Sequence, residues 1–300
     1  MKISAFFDFD GTLVEGDSIL FWQRYYYRHR PWMRVFQLAN FVGLGLLAVR
    51  VLDSHALKRV FFWPLAFEKP ETLDALARDF VRTDLVHRFH GPVLARLWAH
   101  HRLGHATVVI SASGTFYLKH LAPYFPPDVT LLGTEMKWRG GWFRFPGYVG
   151  GNLRGSNKIR RLRELGFGGA GPGDFAYSDH HHDTPLLDFV EHGHVIRPTV
   201  KMTTTARQRG GWTFWGSAAA ASAYAWPRAR AYWKLKLEAV CLLLFAWAPR
   251  ALAAPPEAAE PDEAEVARQE RLIEEETGAQ GVPPHDAPAS SSAAARGASA

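Results

Sequence analysis

The residues of this chain that could do chemistry begin at its first apolar run, residues 3–9 (ISAFFDF), which is typical of a buried strand. Asp8 and Asp10 stand two residues apart at the end of this run, and Gly11 and Thr12 follow directly. Two carboxylates at the end of a buried strand repel each other and resist desolvation. The pair is therefore predicted to serve a function, because a purely structural role would leave both costs uncompensated.

Two further strand-like runs end in polar residues. The run TVVIS ends at Ser111, and the run FAYS is followed by Asp179 and, four residues later, by Asp183. Between these runs, Lys158 opens a basic helical pattern after a glycine-containing loop. Strands that alternate with helices predict a mainly parallel α/β sheet, whose functional sites lie at the carboxyl ends of the strands. The polar residues at these strand ends are therefore expected to meet at one edge of the sheet.

Taken in order, an aspartate pair with a threonine, a serine, a lysine and a second aspartate pair resemble the four motifs of the haloacid dehalogenase-like (HAD) hydrolase superfamily. The resemblance covers roughly residues 3–200, and the helical pattern after the first motif is similar to subfamily IB, the branch that contains the phosphoserine phosphatases. It implies a Rossmann-like, mainly parallel sheet core with an inserted helical cap. It also implies a Mg²⁺-dependent phosphomonoester hydrolase that works through an aspartyl-phosphate intermediate.

The resemblance also implies a role for each motif residue. Asp8 is the nucleophile, and Asp10 is the general acid and base. Ser111 and Lys158 hold the phosphoryl oxygens. Mg²⁺ is bound by Asp8, by Asp10 through its backbone carbonyl, and by Asp179. The supporting residues are Asp183, Thr12 and Gly11.

Two structural alternatives stand beside these roles. Asp8 and Asp10 can form an Asx-type turn and Ser111 can cap a helix, but this reading leaves the ordered set of motifs unexplained. The last motif also departs from the family pattern, because His180, His181 and His182 replace its usual small or polar residues. These imidazoles either recruit a transition metal or face solvent near the phosphate pocket, and the sequence favours the second interpretation.

The cap, predicted over residues 15–100, is expected to choose the substrate. Residues 18–102 place apolar side chains at i, i+3 and i+4, which predicts helices. Asp17 stands where phosphoserine phosphatases carry an acidic residue that contacts the substrate amine. The alternative is that Asp17, like its neighbour Glu15, is simply an acidic residue at a helix start.

Charge and composition divide the chain further. Its net charge of +6 combines +13 on residues 1–250 with −7 on residues 251–300. The single cysteine, Cys241, excludes an internal disulfide framework and agrees with a reducing compartment. Four domains are predicted. Residues 1–14 and 101–200 form a catalytic core, and the cap is inserted between them. Residues 201–252 form a basic, Trp-rich membrane-associating segment, and residues 253–300 form a disordered acidic tail in which EAEVARQERLIEEE can form one short helix.

Two regions suggest a membrane surface as partner. Residues 21–34 interleave arginines with aromatic side chains before the charge-free residues 35–49, and residues 199–250 contain eight Lys/Arg and five Trp. The apolar residues 239–249 are too short to cross a bilayer as a straight helix. The sequence therefore predicts a cytoplasmic protein that is peripheral to, or partly inserted at, the anionic inner face of the cell membrane. The alternative is that the cap segments pack as protein core.

These observations leave three hypotheses for function. The leading one is a phosphatase of phospholipids or lipid-linked phosphates at the membrane surface, similar to bacterial lipid-phosphate phosphatases. The second is a phosphatase of soluble metabolites, of the phosphoserine or histidinol-phosphate type. The third is a non-catalytic membrane adaptor, although the chain keeps every motif carboxylate. Nucleic acid is not an expected partner, because no motif that binds it is present.

Overall fold

The structure is a computed structural model of the 300-residue chain and describes residues 2–48, 51, 54–138, 146–168, 171, 173–215 and 261–278. Most of the Trp-rich segment, including Cys241 and residues 239–249, lies outside the described residues, so its predicted membrane association stays a prediction. Among the residues that the structure describes, no helix combines the length and the apolar character that crossing a membrane requires.

A six-stranded parallel sheet forms the core and confirms the predicted α/β fold. In spatial order its strands are β3 (Thr130–Thr134), β2 (Ala106–Gly114), β1 (Ser4–Phe7), β6 (Phe175–Ser178), β7 (His192–Val195) and β8 (Thr213–Phe214). A separate antiparallel pair consists of β4 (Met136–Trp138) and β5 (Pro146–Tyr148).

The centre of the sheet brings the motif-bearing strands together. Phe6 of β1 pairs with Val108 of β2 on one side and with Ala176 of β6 on the other. All three of these residues are buried, as expected where helices cover both faces of a parallel sheet. Since the strands are parallel, their carboxyl ends share one edge, and the residues that follow them become neighbours.

Helices fill the connection between β1 and β2. They are α1 (Ser18–His29), α2 (Val35–Ala48), α3 (Ser54–Phe62), α4 (Pro70–Phe80) and α5 (Gly91–Arg102). Short turns join them: 3-10 turns at Pro31–Arg34, Trp63–Phe67 and Val86–Arg88, and a π-helical turn at Val81–Leu85. Asp17 caps α1 by accepting from Ile19 N at 2.9 Å, and Pro70 begins α4, where a missing N–H has no cost.

The cap boundary predicted at residue 100 falls inside α5. This helix packs against β1 and β2 and buries Val93, Leu94 and Leu97. Residues 91–100 therefore belong with the sheet rather than with the cap. Apolar helical periodicity could not show this, because it indicates a buried face but not what covers it.

The aromatic residues of α1 lie in the interior of the cap. Trp22, Tyr25, Tyr26 and Tyr27 are buried, and the Trp22 ring lies 5.3 Å from that of Phe80. These four side chains therefore pack as protein core, which is the alternative considered for the cap segments. The next segment differs from α1. On and just before α2, large apolar side chains face solvent: Trp32, Val35, Leu38 and Val42.

The remaining described helices are α6 (Thr115–Leu118), α7 (Ser156–Glu164), α8 (Thr184–Leu187), α9 (Val200–Arg209) and α10 (Glu263–Thr277). Helix α10 is the short helix that the sequence allowed in the acidic tail. Asp262 caps its start by accepting from Ala264 N at 3.0 Å, and Gly278 ends it with φ of 66°. The disorder predicted for the tail therefore does not extend to residues 261–278.

Candidate active site

The first motif is a tight turn after β1. The Asp8 N–H donates to Tyr177 O at 2.9 Å, so Asp8 continues the pairing of β1 with β6. Gly11 adopts φ of 78°, a left-handed conformation that glycine adopts without strain, and its N–H donates to Val14 O at 2.8 Å. Thr12 is buried beneath this turn, where its hydroxyl donates to Asp179 Oδ1 at 3.4 Å. The turn thereby links the first and last motifs.

Lys158 connects the nucleophile position with the last motif. Its Nζ lies 2.6 Å from Asp8 Oδ1 and 2.7 Å from Asp183 Oδ2, and the side chain is about 1% exposed. Burial alone would lower the pKa of Lys158, but Asp183 and Asp8 outweigh it, so the net pKa lies above the usual lysine value. Ser178 Oγ also donates to Asp183 Oδ2, at 2.9 Å. Asp183 therefore contacts both Lys158 and Ser178.

The carboxylates at this edge exceed the positive charge beside them. Burial raises the pKa of Asp8 well above its usual value; Asp183 and Asp179 raise it further, and Lys158 opposes them. Burial, the largest cause of this shift, disfavours the charged form of Asp8, and additional positive charge next to Asp8 would oppose that effect. Carboxylate and carbonyl oxygens are the ligands that Mg²⁺ prefers, so Asp8, Asp10 and Asp179 fit a hard divalent cation. Such a cation would also relieve the repulsion between Asp8 and its neighbours.

Two serines of β2 and one of α1 hold the Asp10 carboxylate. The Ser18 N–H donates to Asp10 Oδ1 at 2.7 Å, and Ser113 Oγ and Ser111 Oγ (3.4 Å) both donate to Asp10 Oδ2. The strand does not end at Ser111, because β2 continues to Gly114, and the described side-chain contacts of Ser111 are with Asp10 and Ser113. Sequence reasoning missed Ser113. Its position two residues after Ser111 was the available signal, because alternate residues of a strand share a face.

The cap contributes a second cation that sequence reasoning missed. Lys58 of α3 donates from Nζ to Ala112 O at 2.8 Å and to Asn152 Oδ1 at 3.2 Å. Burial lowers the pKa of Lys58 to about 8, against the opposing effect of Asp17 and Asp10. A lysine on a cap helix has no sequence pattern that marks it, since its partners are 54 and 94 residues away.

Asp17 has both of the properties considered for it. It is a helix-start residue, because its Oδ1 accepts from Ile19 N and Leu20 N. It also lies near the motif carboxylates: burial raises its pKa to about 6, and Asp10 adds to this shift. Capping α1 therefore leaves Asp17 close to the site, where its charge can act on a bound molecule.

The three consecutive histidines form a turn beside the last motif. Their ligand atoms lie within 4.8 Å of one another, with His182 exposed and His180 and His181 partly buried. His180 Nδ1 accepts from His182 N at 3.2 Å. Burial, followed by nearby positive groups, lowers the pKa of His181 and of His182 to about 4. The imidazoles are therefore neutral at pH 7 and border the pocket without adding positive charge.

The fold agrees with comparisons to known proteins. A family model of the haloacid dehalogenase-like hydrolases matches residues 5–188. A histidinol-phosphatase from Neisseria meningitidis serogroup C (strain 8013) is 25% identical over 228 residues, which cover 70% of this chain and 97% of that protein. The chain therefore belongs to the haloacid dehalogenase-like hydrolase family.

Two solved structures share the fold at low sequence identity. A protein with unknown function from Bordetella pertussis Tohama I matches with a TM-score of 0.61 and 21% identity, covering 71% of this chain and 98% of that one. A HAD family hydrolase from Salmonella enterica subsp. enterica serovar Typhi matches with a TM-score of 0.52 and 15% identity, covering 71% of this chain and 68% of that one. Both matches leave more than a quarter of this chain uncovered.

Proposed function

We propose that this chain hydrolyses phosphate monoesters through an aspartyl-phosphate formed on Asp8, with Mg²⁺ as cofactor. The observation that carries the proposal is the position of Lys158, whose Nζ lies 2.6 Å from Asp8 Oδ1 in a buried pocket where further positive charge would oppose the raised pKa of Asp8. A buried cation beside a nucleophile can also attract the phosphoryl oxygens that the nucleophile approaches. When bound, Mg²⁺ would supply additional positive charge for the phosphoryl group.

The reaction divides between two carboxylates. Asp8 attacks phosphorus in line with the ester oxygen, so that an Oδ–P bond forms while the P–O ester bond breaks. Asp10 gives a proton to the departing alkoxide. Asp10 then takes a proton from water, whose oxygen attacks phosphorus and breaks the Oδ–P bond, which releases inorganic phosphate and regenerates Asp8. The Ser18 N–H and the Ser113 hydroxyl hold Asp10 for both proton transfers.

The substrate that the site favours is a small, soluble phosphate ester with an amine in its leaving group. Asp17 supports this choice, because burial and the nearby Asp10 raise its pKa to about 6, and Lys58 offsets this shift only in part. A substrate ammonium would provide a further positive partner and lower the pKa again. The similar Neisseria protein is a histidinol-phosphatase, so histidinol phosphate is the first ester to test.

A phospholipid or lipid-linked phosphate at a membrane surface is the second candidate. The observation that favours it is the apolar face of α2, on which Leu38 is 70% exposed and which continues to Trp32, 64% exposed. No charged residue interrupts α2, and Arg30 and Arg34 precede it. An apolar face with arginines at its edge suits an anionic lipid surface.

The test of substrate class is release of inorganic phosphate by the full chain with Mg²⁺. The substrates are histidinol phosphate, phosphoserine and phosphatidylglycerophosphate in mixed micelles, and Asp8→Asn is the blank. We expect fastest release from histidinol phosphate and none from the blank. Preference for the lipid would support the second candidate. Release from none of the three would contradict the proposed phosphatase and favour the adaptor hypothesis.

The proposed contact between Asp17 and the substrate ammonium is tested separately from the role of Asp17 in capping helix α1. Asn caps a helix as well as Asp does, so Asp17→Asn keeps α1 and removes only the charge. We expect the KM for histidinol phosphate to rise about tenfold, because the substrate ammonium loses a charged partner. Glu15→Gln is the matched control, since Glu15 is exposed and pairs with Arg197. Equal effects of the two variants would rule out a specific contact with Asp17.

The apolar face of α2 is tested with a site-specific probe. A polarity-sensitive fluorophore is attached to Leu38→Cys in a Cys241→Ser background, and the matched control carries it at Ala75→Cys, an exposed position on α4. With phosphatidylglycerol vesicles, the second candidate predicts a blue shift at position 38, no shift at position 75, and a weaker response with phosphatidylcholine. An unchanged spectrum at position 38 would contradict lipid docking by this face.

A further inference from the structure

Helix α10 packs along α5 and lies outside the region that the family model matches, which ends at residue 188. Val266 and Ile273 are fully buried in the core that α5 shares with the sheet. On the exposed side of the contact, Arg102 donates to both carboxylate oxygens of Glu263 at 2.7 Å. The helix is thus held by apolar burial in the middle and by charge at its start.

The end of α10 provides the partners of a buried arginine. Arg96 of α5 is about 1% exposed, and its Nη2 donates to Glu276 Oε2 at 2.6 Å. Its Nη1 contacts Gln269 Oε1 at 3.3 Å, and its Nε donates to Tyr177 OH at 2.8 Å. Both terminal nitrogens therefore depend on α10, whereas Nε contacts β6. Because arginine stays charged, undocking α10 would take away its carboxylate partner and the amide oxygen that Nη1 contacts.

Tyr177 links this network to the catalytic edge. It comes two residues before Asp179, and its backbone oxygen accepts from Asp8 N at 2.9 Å. Its ring stacks on Phe7, with 4.4 Å between centroids, and Phe7 directly precedes Asp8. The Tyr177 side chain, which Arg96 contacts, therefore lies next to the strand ends that precede Asp8 and Asp179.

We propose that Glu276 is a positioning residue for the reaction: it holds Arg96 against Tyr177, and this fixes the ends of β1 and β6 that carry Asp8 and Asp179. Helix α10 is then a functional part of the catalytic core rather than a tail. The inference rests on the proposed function only for its kinetic measurement, because its structural measurement needs no substrate.

The first experiment compares Glu276→Gln with Glu275→Gln in the full chain. Both variants remove one carboxylate from the same turn of α10, and both residues are exposed, but Glu275 makes no described side-chain contact whereas Glu276 contacts Arg96. We expect Glu276→Gln to lower kcat roughly threefold to thirtyfold with an unchanged KM, since it disturbs the reacting groups and not the substrate contacts. Glu275→Gln should leave kcat unchanged.

Amide hydrogen exchange gives the substrate-free measurement. Exchange at residues 175–178 of β6 is compared with exchange at residues 106–110 of β2, within each variant. We expect Glu276→Gln to accelerate exchange in β6 relative to β2. Faster exchange in α10 alone would mean that the helix docks without positioning the strand, and this would overturn the proposal. If the unchanged protein releases no phosphate, the proposed function is contradicted. The hydrogen-exchange comparison still tests whether Glu276 positions β6.

A double-mutant cycle tests the path through the tyrosine. Tyr177→Phe keeps the ring stack and removes the hydroxyl that Arg96 contacts, so it should lower kcat to a similar extent. The pair Glu276→Gln and Tyr177→Phe should then cost little more than either change alone. Additive losses would show that Glu276 acts by another route and would overturn the proposal.

Discussion

Lys158 is buried between two carboxylates, so the same contacts affect both the stability of the protein and the proposed function of this lysine. Its Nζ touches Asp8 and Asp183, and no part of the side chain has more than slight contact with solvent. Under the proposed function, this cation offsets the charge of Asp8 and Asp183 before a phosphoryl group binds and attracts that group afterwards. Changing it should therefore affect both folding and catalysis.

Lys158→Met is expected to reduce kcat/KM roughly 100-fold to 1,000-fold, because the phosphoryl oxygens lose a positioned positive charge. It should also lower the free energy of unfolding by about 3 kcal/mol, because Asp8 and Asp183 lose a buried partner. Urea denaturation with a chelator present measures the second effect. Arg160→Met on the same helix is the matched control, since Arg160 is exposed. Similar results for both variants would contradict the assigned role of Lys158.

At the scale of elements, Lys58 joins the cap to the core. It extends from α3 to Ala112 O, directly after Ser111, and to Asn152 Oδ1, which also accepts from Thr134 Oγ1 at 3.1 Å. The cap thus meets the end of β2 through the Lys58 ammonium group and through Ser18 of α1, whose hydroxyl lies 3.0 Å from that of Ser113. Because this contact lies beside Asp10 and Asp17, its loss would change how the cap closes over a substrate.

Lys58→Met is expected to raise KM about tenfold with a smaller change in kcat, because the cap loses a charged hydrogen bond to the core. In the unchanged protein, KM should begin to rise above pH 8, since the pKa of Lys58 is lowered to about 8 and the uncharged amine binds Ala112 O and Asn152 Oδ1 more weakly. The variant should lack that inflection. Arg59→Met, at the exposed neighbouring position, is the control. An inflection that persists in Lys58→Met would belong to another group.

The sequence predicts those strands and helices whose own residues form a recognisable pattern. The apolar run before Asp8 and the run before Asp179 predict β1 and β6, and glycine turns with helical periodicity predict α7 and the cap helices. The sequence does not predict contacts between distant elements. Lys58 and Gln269 have no distinctive neighbours in the sequence, and the residues that they contact become neighbours only after the chain folds. Periodicity also failed to show that Trp22 is buried and that Leu38 is exposed, because both lie in similar apolar patterns.

At the scale of the whole molecule, a group of buried histidines surrounds the network of Arg96. His100 Nε2 contacts Tyr177 OH at 2.7 Å, and its Nδ1 lies 2.8 Å from His105 Nδ1. Burial lowers the pKa of His100 well below its usual value and that of His105 to about 4, with Arg96 adding to both shifts. Burial also lowers the pKa of His194. The folded protein therefore keeps these imidazoles neutral in a range where the unfolded chain binds protons.

Stability should consequently fall as the pH drops from about 6.5 towards 4, which are the unfolded and folded pKa values of His105. In this window the unfolded chain binds more protons than the folded protein, so the free energy of unfolding rises with pH. Urea denaturation at half-unit pH steps measures the slope. His105→Gln should reduce the slope of the free energy of unfolding against pH, because one of the groups that bind a proton only on unfolding is then absent. An unchanged slope in that variant would assign the acid sensitivity to other groups.

The strand order of the sheet determines when activity can first appear during synthesis. Strand β1 is made first, yet its neighbour β6 follows about 170 residues later, as the contact of Ser4 N with Asp174 Oδ1 shows. At about 5 to 20 residues per second, the ribosome needs roughly 10 to 30 s to supply it. Asp8 is therefore present on the nascent chain before Lys158, Asp179 and Asp183 have been synthesised. A partly synthesised chain cannot hydrolyse esters, and an unpaired edge of β1 must be shielded until β6 emerges.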